Sequence, residues 1–222
     1  MESNYQKLKS QSSKLIAEFL LIVLGVTIAL WLENIADDMK DQEIEHEYLL
    51  GFATDVRTDI VRLKYTIKNN QEIATKVNEF LTGLLENNIK QPEFTQKIST
   101  LMNYDYFSPD DFTLTSIRES GDFRLLRNND IKLNILQLKR HYDGIEVLQK
   151  NFQNALDNQI VPMVIANVNL ITDELINPEF INDFRLLNIV GYTLNDINAR
   201  VNFYKQTLKK AESLQSLLNT NL

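Results

Sequence analysis

Between Leu15 and Leu32 the chain carries one charge, Glu18, in a stretch otherwise dominated by apolar side chains. At about 1.5 Å rise per residue this stretch covers roughly 27 Å, the hydrocarbon thickness of a bilayer. Further on the pattern changes. Leu49, Phe52, Val56, Ile60, Leu63 and Ile67, then Ile73, Val77, Phe80 and Leu84, recur at steps of three and four around a polar gap at Asn70. That spacing predicts an amphipathic helix. Asn34 to His46 holds neither Pro nor Gly, so the apolar helix is expected to run on through this acidic segment. A break, if present, is expected at Lys68-Asn69-Asn70-Gln71, and Asn87-Asn88 with Pro92 should end the helix.

A short helix is predicted over Glu93 to Met102, then an aromatic turn region from Asn103 to Asp111. Pro109 with Asp110 and Asp111 reads as a helix start, one of the aspartates capping a segment that ends at Gly121. Asn128-Asn129-Asp130 should open a long helix with Ile131, Ile135, Leu138, Tyr142, Ile145, Leu148, Phe152, Leu156, Ile160 and Met163 on its apolar face. Pro162 is expected to kink that helix, with the periodicity resuming through Val168 and Ile171. Asn177-Pro178 should start a shorter helix, and Gly191 should separate it from a last one bearing Leu194, Ile197, Val201, Leu208, Ala211 and Leu218. The expected fold is all-α: an N-terminal transmembrane helix continuing into a stalk and an antiparallel helical bundle of coiled-coil type.

Charge orients these pieces. Residues 1–14 carry Lys7, Lys9 and Lys14 against Glu2, whereas residues 33–47 carry seven acids against Lys40. The positive flank stays inside, so 1–14 should be a cytoplasmic tail, 15–32 an uncleaved signal anchor, and 33–222 an exported helical domain of stalk (33–48) and bundle (49–222). Trp31 suits the membrane interface at the end of the anchor. The expected location is a bacterial inner membrane with the bulk of the chain periplasmic.

The chain has 30 acidic and 23 basic side chains, a net charge of −7, no cysteine and two histidines. This excludes disulfides and thiol chemistry, argues against a multi-histidine metal site, and disfavours nucleic acid as a partner. No cofactor or metal is expected.

Two islands resemble a known family. One is Ala17-Glu-Phe-Leu-Leu-Ile-Val-Leu-Gly-Val-Thr-Ile-Ala-Leu30, with Glu45 to Leu50 and Asp55 to Leu63 after it. The other is Phe107 to Asn129 with the Tyr142 helix following. Together they are similar to the single-span membrane proteins of Bacteroidota grouped as domain of unknown function family 6090, over most of residues 15–150. The likeness departs past the anchor, where this chain runs directly into Trp31-Leu-Glu33. It implies inner-membrane placement and a helical exterior, and no activity.

Glu18, Ile22, Gly25 and Ala29 fall within about 60° of one another on the anchor helix. Small residues four apart let helices approach closely, and a carboxylate on that face can bond across the contact. Glu18 therefore has three readings: packing in an oligomer or partner complex, snorkelling to the interface, or part of a proton relay. Arg118, Glu119, Ser120, Gly121, Arg124 and Arg127, with Arg140, His141, Tyr142 and Asp143, suggest an anion site with His141 as base, against a plain interhelix turn. Tyr104, Tyr106, Phe107 and Phe112 read as a helix-end cap or a pocket lining, and His46 as part of a solvated acidic face.

With no nucleophile, base and orienter in view, the expected function is a membrane-anchored structural or interaction subunit of an envelope complex, without catalysis. Its partners would be the membrane, other envelope proteins, or further copies through the anchor helix. The alternative is an exported ligand-sensing module, which with about fourteen cytoplasmic residues must report through a membrane partner.

Overall fold

The computed structural model describes the backbone of residues 2–222 and the side chains from Glu18 onward, apart from those of Gln91 and Pro92. The lysines at 7, 9 and 14, which carry the orientation expectation, lie outside the described side chains.

Helix α1 (Glu2–Leu85) is unbroken, about 126 Å long. The expected break at 68–71 does not occur because its polar residues serve a neighbouring loop. Asn69 Nδ2 donates to Asp105 Oδ2 at 2.7 Å, and Asn70 Nδ2 donates to the Thr66 and Asp105 carbonyls at 2.9 and 2.8 Å. The helix ends where expected. Asn87 takes φ 52, and the amides of Asn88 and Asn87 return to the carbonyls of Gly83 and Leu84. This pairing satisfies the last carbonyls of the helix through a left-handed residue.

Helix α2 (Gln91–Ile98) continues as a 3-10 turn to Met102, and α3 spans Phe112–Glu119. Asp111 sits at the N-cap of α3, but its side chain makes no capping bond. The cap comes from α1 instead: Asp55 Oδ2 accepts from Thr113 N at 3.0 Å. Gly121 closes this segment at φ 77, a conformation that costs other residues more. Helix α4 (Asn129–Ala155) is capped by the Asn128 side chain, which accepts from the amides of Asp130 and Ile131.

Pro162 acts as expected on one side only. A π-helical turn at Leu156–Ile160 precedes it, and α5 (Val161–Asn167) follows. The widened turn absorbs the missing proline donor. Helical periodicity then stops: strands β1 (Val168–Asn169) and β2 (Glu174–Leu175) pair antiparallel. Asn169 Oδ1 accepts from the amides of Ile171 and Thr172, and Asp173 takes φ 55. This side-chain turn competes with the helix and leaves Ile171 at a hairpin tip, 94% exposed. After a 3-10 turn (Pro178–Asn182), α6 runs from Phe184 to Asn221 in one piece. Gly191 does not divide it. Asp183 caps α6 by accepting from Arg185 N, and the buried residues Leu186, Val190, Thr193 and Ile197 hold the helix through the glycine.

Three long helices make the core. Helix α6 runs antiparallel to α1, with Lys64 against Glu212, and antiparallel to α4, with Asn128 against Asn221. Helices α1 and α4 are parallel, joined by Tyr142 and Asp59. Buried positions follow alternating steps of three and four: Leu49, Phe52, Val56, Asp59, Leu63, Thr66 and Asn70 on α1, and Leu186, Val190, Thr193, Ile197, Arg200, Tyr204, Thr207, Ala211, Leu214 and Leu218 on α6. A 3.5-residue period is the coiled-coil seam. Polar residues occupy several of its core positions.

Candidate interaction surfaces

On α1 every described residue from Glu18 to Lys40 is exposed. The helix is long and apolar enough to cross a membrane: an 18-residue window has mean hydropathy 2.1 and none of it is buried. Glu18, Ile22, Gly25 and Ala29 share one face, and a Cβ added at Gly25 would meet nothing within 4 Å. Trp31 is exposed at the end of the stretch. None of that apolar window packs against the described rest of the chain, so its surface is available to an external partner.

The residues of the second island do not converge on one site. Arg127 reaches back to the stalk, where its Nη2 lies 2.6 Å from Asp38 Oδ1 and its Nε 3.4 Å from Glu45 Oε2. Tyr48 hydroxyl meets Ser120 Oγ at 3.0 Å and Asp122 Oδ2 at 3.1 Å. These contacts tie the hairpin to the base of the bundle. His141 stacks on Phe203 at 5.4 Å between centroids, with Nδ1 3.3 Å from Thr207 Oγ1. Burial and the nearby Lys210 lower its pKa. Its neighbour Tyr142 points the other way, to Asp59, and Asp143 pairs with Lys139. One turn of helix thus sends these residues to different neighbours.

The aromatic loop lies against the sides of α1 and α4 rather than over a helix end, and Tyr106 and Phe107 line a groove there with Val61 and Tyr65. Tyr106 hydroxyl donates to the Gln149 carbonyl at 3.1 Å, and Gln149 pairs with both backbone groups of Phe107. Burial pushes Tyr106 up to about 12. Phe107 is buried beside Tyr142, but Phe112 is 75% exposed and takes no part in this packing.

Three residues that the periodicity alone did not single out organise this interior. Asp59 is buried, its Oδ2 accepting from Tyr142 hydroxyl at 2.6 Å and its Oδ1 from Asp110 N at 2.8 Å. Burial raises its pKa to about 6, against the lowering effects of those bonds and of Arg62. Tyr142 is raised as well, by burial and by the adjoining carboxylate. Arg200 is fully buried, paired with Asp196 at 2.7 Å and lying 4.3 Å over the Phe152 ring, while its Nη1 and Nη2 make no hydrogen bond. Gln149 accepts from both Phe107 N and Tyr204 hydroxyl. A signal existed for two of them: Asp59 and Arg200 fall in step with the apolar seam, where a polar residue must find a partner.

Space inside the bundle is small. A recess of about 30 Å³ beside Asp59, lined by Phe52, Leu114 and Tyr142 among others, suits about one water. Larger spaces are open grooves on the surface, among them one of about 590 Å³ along Pro162, Met163, Ala166, Phe180 and Ile189. That groove lies at the end of the bundle away from the apolar helix. Ile165, Leu170, Ile171, Ile176 and Phe184 at the same end are 45–94% exposed. Among the described residues no group of three or more His, Asp or Glu is placed to hold a metal ion.

These features define a helical bundle carried on a long helix whose residues 18–35 are largely apolar and exposed. The chain belongs to a family of unknown function, DUF6090, whose model matches residues 18–198. Neither curated proteins nor solved structures give a significant match.

Proposed function

We propose that this protein is a membrane-anchored interaction subunit of the bacterial envelope, holding its bundle on the outer side of the inner membrane and docking other proteins at the far end. The observation that carries this reading is the combination of a filled core with two separated apolar surfaces, one on residues 18–35 and one at the tip around Ile171 and Phe184. Exposed apolar residues gathered at one end mark a contact surface. A ligand sensor would need an enclosed cavity of several hundred Å³ between its helices; the recess beside Asp59 is about 30 Å³, and the polar groove of about 380 Å³ between α1 and α6, along Gln71, Asn78, Asn198 and Asn202, lies open to solvent. The lysine-rich flank before the anchor favours an N-terminus in the cytoplasm.

A reporter fused after Leu222 is expected to be active only when it requires export, and activity of a cytoplasm-dependent reporter there would reverse the orientation. For the docking end, the intact protein purified from mild detergent should bring partners that are lost with Ile171→Asp and Phe184→Asp. Both positions are exposed, so the fold should be kept. Recovery of the same partners by the doubly substituted chain would remove the tip from the function.

A further inference from the structure

We propose that the tip of the bundle docks a basic amphipathic segment of a partner protein, whose apolar side chains fill the groove between α5 and the start of α6 and whose Lys and Arg side chains meet the acids at that end. The inference rests on the reading of the tip as a docking surface, and it names the chemistry of the partner. Pro162 and the π-helical turn before it end the long helix α4–α5, so the chain leaves the bundle here and returns through the hairpin of β1 and β2. Apolar residues of this excursion have no third long helix to pack on. Helix α5 supplies Pro162, Met163 and Ala166 to the groove of about 590 Å³, and the chain entering α6 supplies Phe180 and Ile189. At the same end Ile165, Ile171, Ile176 and Phe184 are 54%, 94%, 60% and 70% exposed. Apolar exposure gathered in this way marks a contact surface.

The free charges of this segment have one sign. From 151 to 199 the chain holds six acids and one basic residue, Arg185. Arg185 is already engaged, its Nε 2.9 Å and its Nη2 2.5 Å from Asp183 Oδ2. Asp196 is likewise taken up by Arg200. Asp157, Asp173, Glu174 and Glu179 are left, all exposed and without a cationic partner among the described residues. Helix α2, which packs against β2, does not neutralise them. Its Lys97 pairs with Glu93 at 2.9 Å, and the exposed Lys90 is matched in charge by the exposed Glu86 just past α1. Apolar side chains among unpaired acids complement apolar side chains among cations, and such complementarity steers and orients a partner.

The same charges disfavour the other occupants. Leu32 and Leu85 are about 80 Å apart along α1, so a membrane holding the apolar stretch does not reach the tip, and any anionic lipid surface would repel it. A second copy would bring a like-charged tip against this one. Nor does this chain supply a basic segment of its own there: Lys7, Lys9 and Lys14 belong to the start of α1, roughly 105 Å or more from its other end. A partner helix with large apolar side chains on one face and Lys or Arg beside them satisfies both the groove and the acids, in the manner of helix-in-groove recognition.

The test uses the full chain in nanodiscs of zwitterionic phosphatidylcholine, with empty nanodiscs as the blank. The probes are a fluorescent amphipathic helical peptide of leucine and arginine and a twin in which glutamate replaces every arginine. The arginine peptide should bind at least about tenfold more tightly than its twin, and the difference should shrink as salt is raised, since exposed charges are screened. Glu174→Lys combined with Glu179→Lys should weaken its binding by about tenfold, and both positions are exposed, so the fold should be kept. Ala166→Glu puts a polar head into the groove while adding an acid, and it should weaken binding too. Stronger binding by Ala166→Glu would show that charge alone holds the peptide and would overturn the proposal. Equal binding of the twins, no binding above the blank, or indifference to the charge reversal overturns it as well. In native membranes, partners lost with Ile171→Asp and Phe184→Asp but kept by Glu174→Lys with Glu179→Lys would leave the docking end in place and remove its preference for a basic segment. Partners kept by both double substitutions would instead show that the docking reading itself has failed.

Discussion

Asp196→Ala is expected to be among the most damaging single substitutions in this chain, lowering stability by about 3–5 kcal/mol. Arg200 is fully buried, Asp196 supplies its one ion pair, and neither Nη nitrogen is otherwise bonded. Removing the carboxylate strands a buried guanidinium. Arg200→Met should cost far less, about 1 kcal/mol, because an apolar chain of similar length fills the space over Phe152 and the remaining carboxylate can reach water. Thermal unfolding of the full chain in detergent, followed by circular dichroism, should show a drop of roughly 10 °C for Asp196→Ala and a small change for Arg200→Met. Equal losses would mean that the ion pair stabilises the bundle on its own account rather than offsetting the burial of Arg200.

The second large effect is expected at Asp59. Asp59→Leu leaves Tyr142 hydroxyl and Asp110 N without their acceptor, a loss of about 2–4 kcal/mol. Asp59→Asn keeps an acceptor and should be milder, and it should also change the pH response. Asp59 is raised from 3.8 to about 6 in the folded chain, so folding favours its protonated form. The resulting stabilisation is complete below about pH 3.8 and is lost as pH rises through about 6. Between pH 8 and pH 5 the native chain should therefore gain on the order of 1 kcal/mol relative to Asp59→Asn. His141, lowered by burial, works in the opposite direction as pH falls, but it is common to both chains and cancels in the difference. Parallel melting curves for the two proteins across this range would show that Asp59 does not titrate as described.

Much of the architecture was legible because it depends on local chemistry. An apolar stretch long enough for a bilayer, apolar residues at threes and fours, Asn128 before Asp130, and Asn87 at a helix end each act within a few residues of chain. Elements whose outcome depends on distant partners were not legible. The amide-rich positions 68–71 read as a break, but Asp105 gives Asn69 and Asn70 a partner and the helix continues. Asp111 read as a cap, but Asp55 on another helix binds the Thr113 amide. Ile171 read as part of an apolar helical face, yet Asn169 closes a turn that leaves it exposed.

The same division holds for the surfaces. Sequence alone determined that Glu18, Ile22, Gly25 and Ala29 share a face, since a helix places side chains by count. Only the tertiary structure decided which side of α1 meets the bundle. It also decided that Asp59 and Arg200 are interior residues, although both are charged types. The seam period puts Asp59 and Arg200 in step with the apolar positions, but burial of a charge becomes tolerable only when folding brings its partners within hydrogen-bond distance.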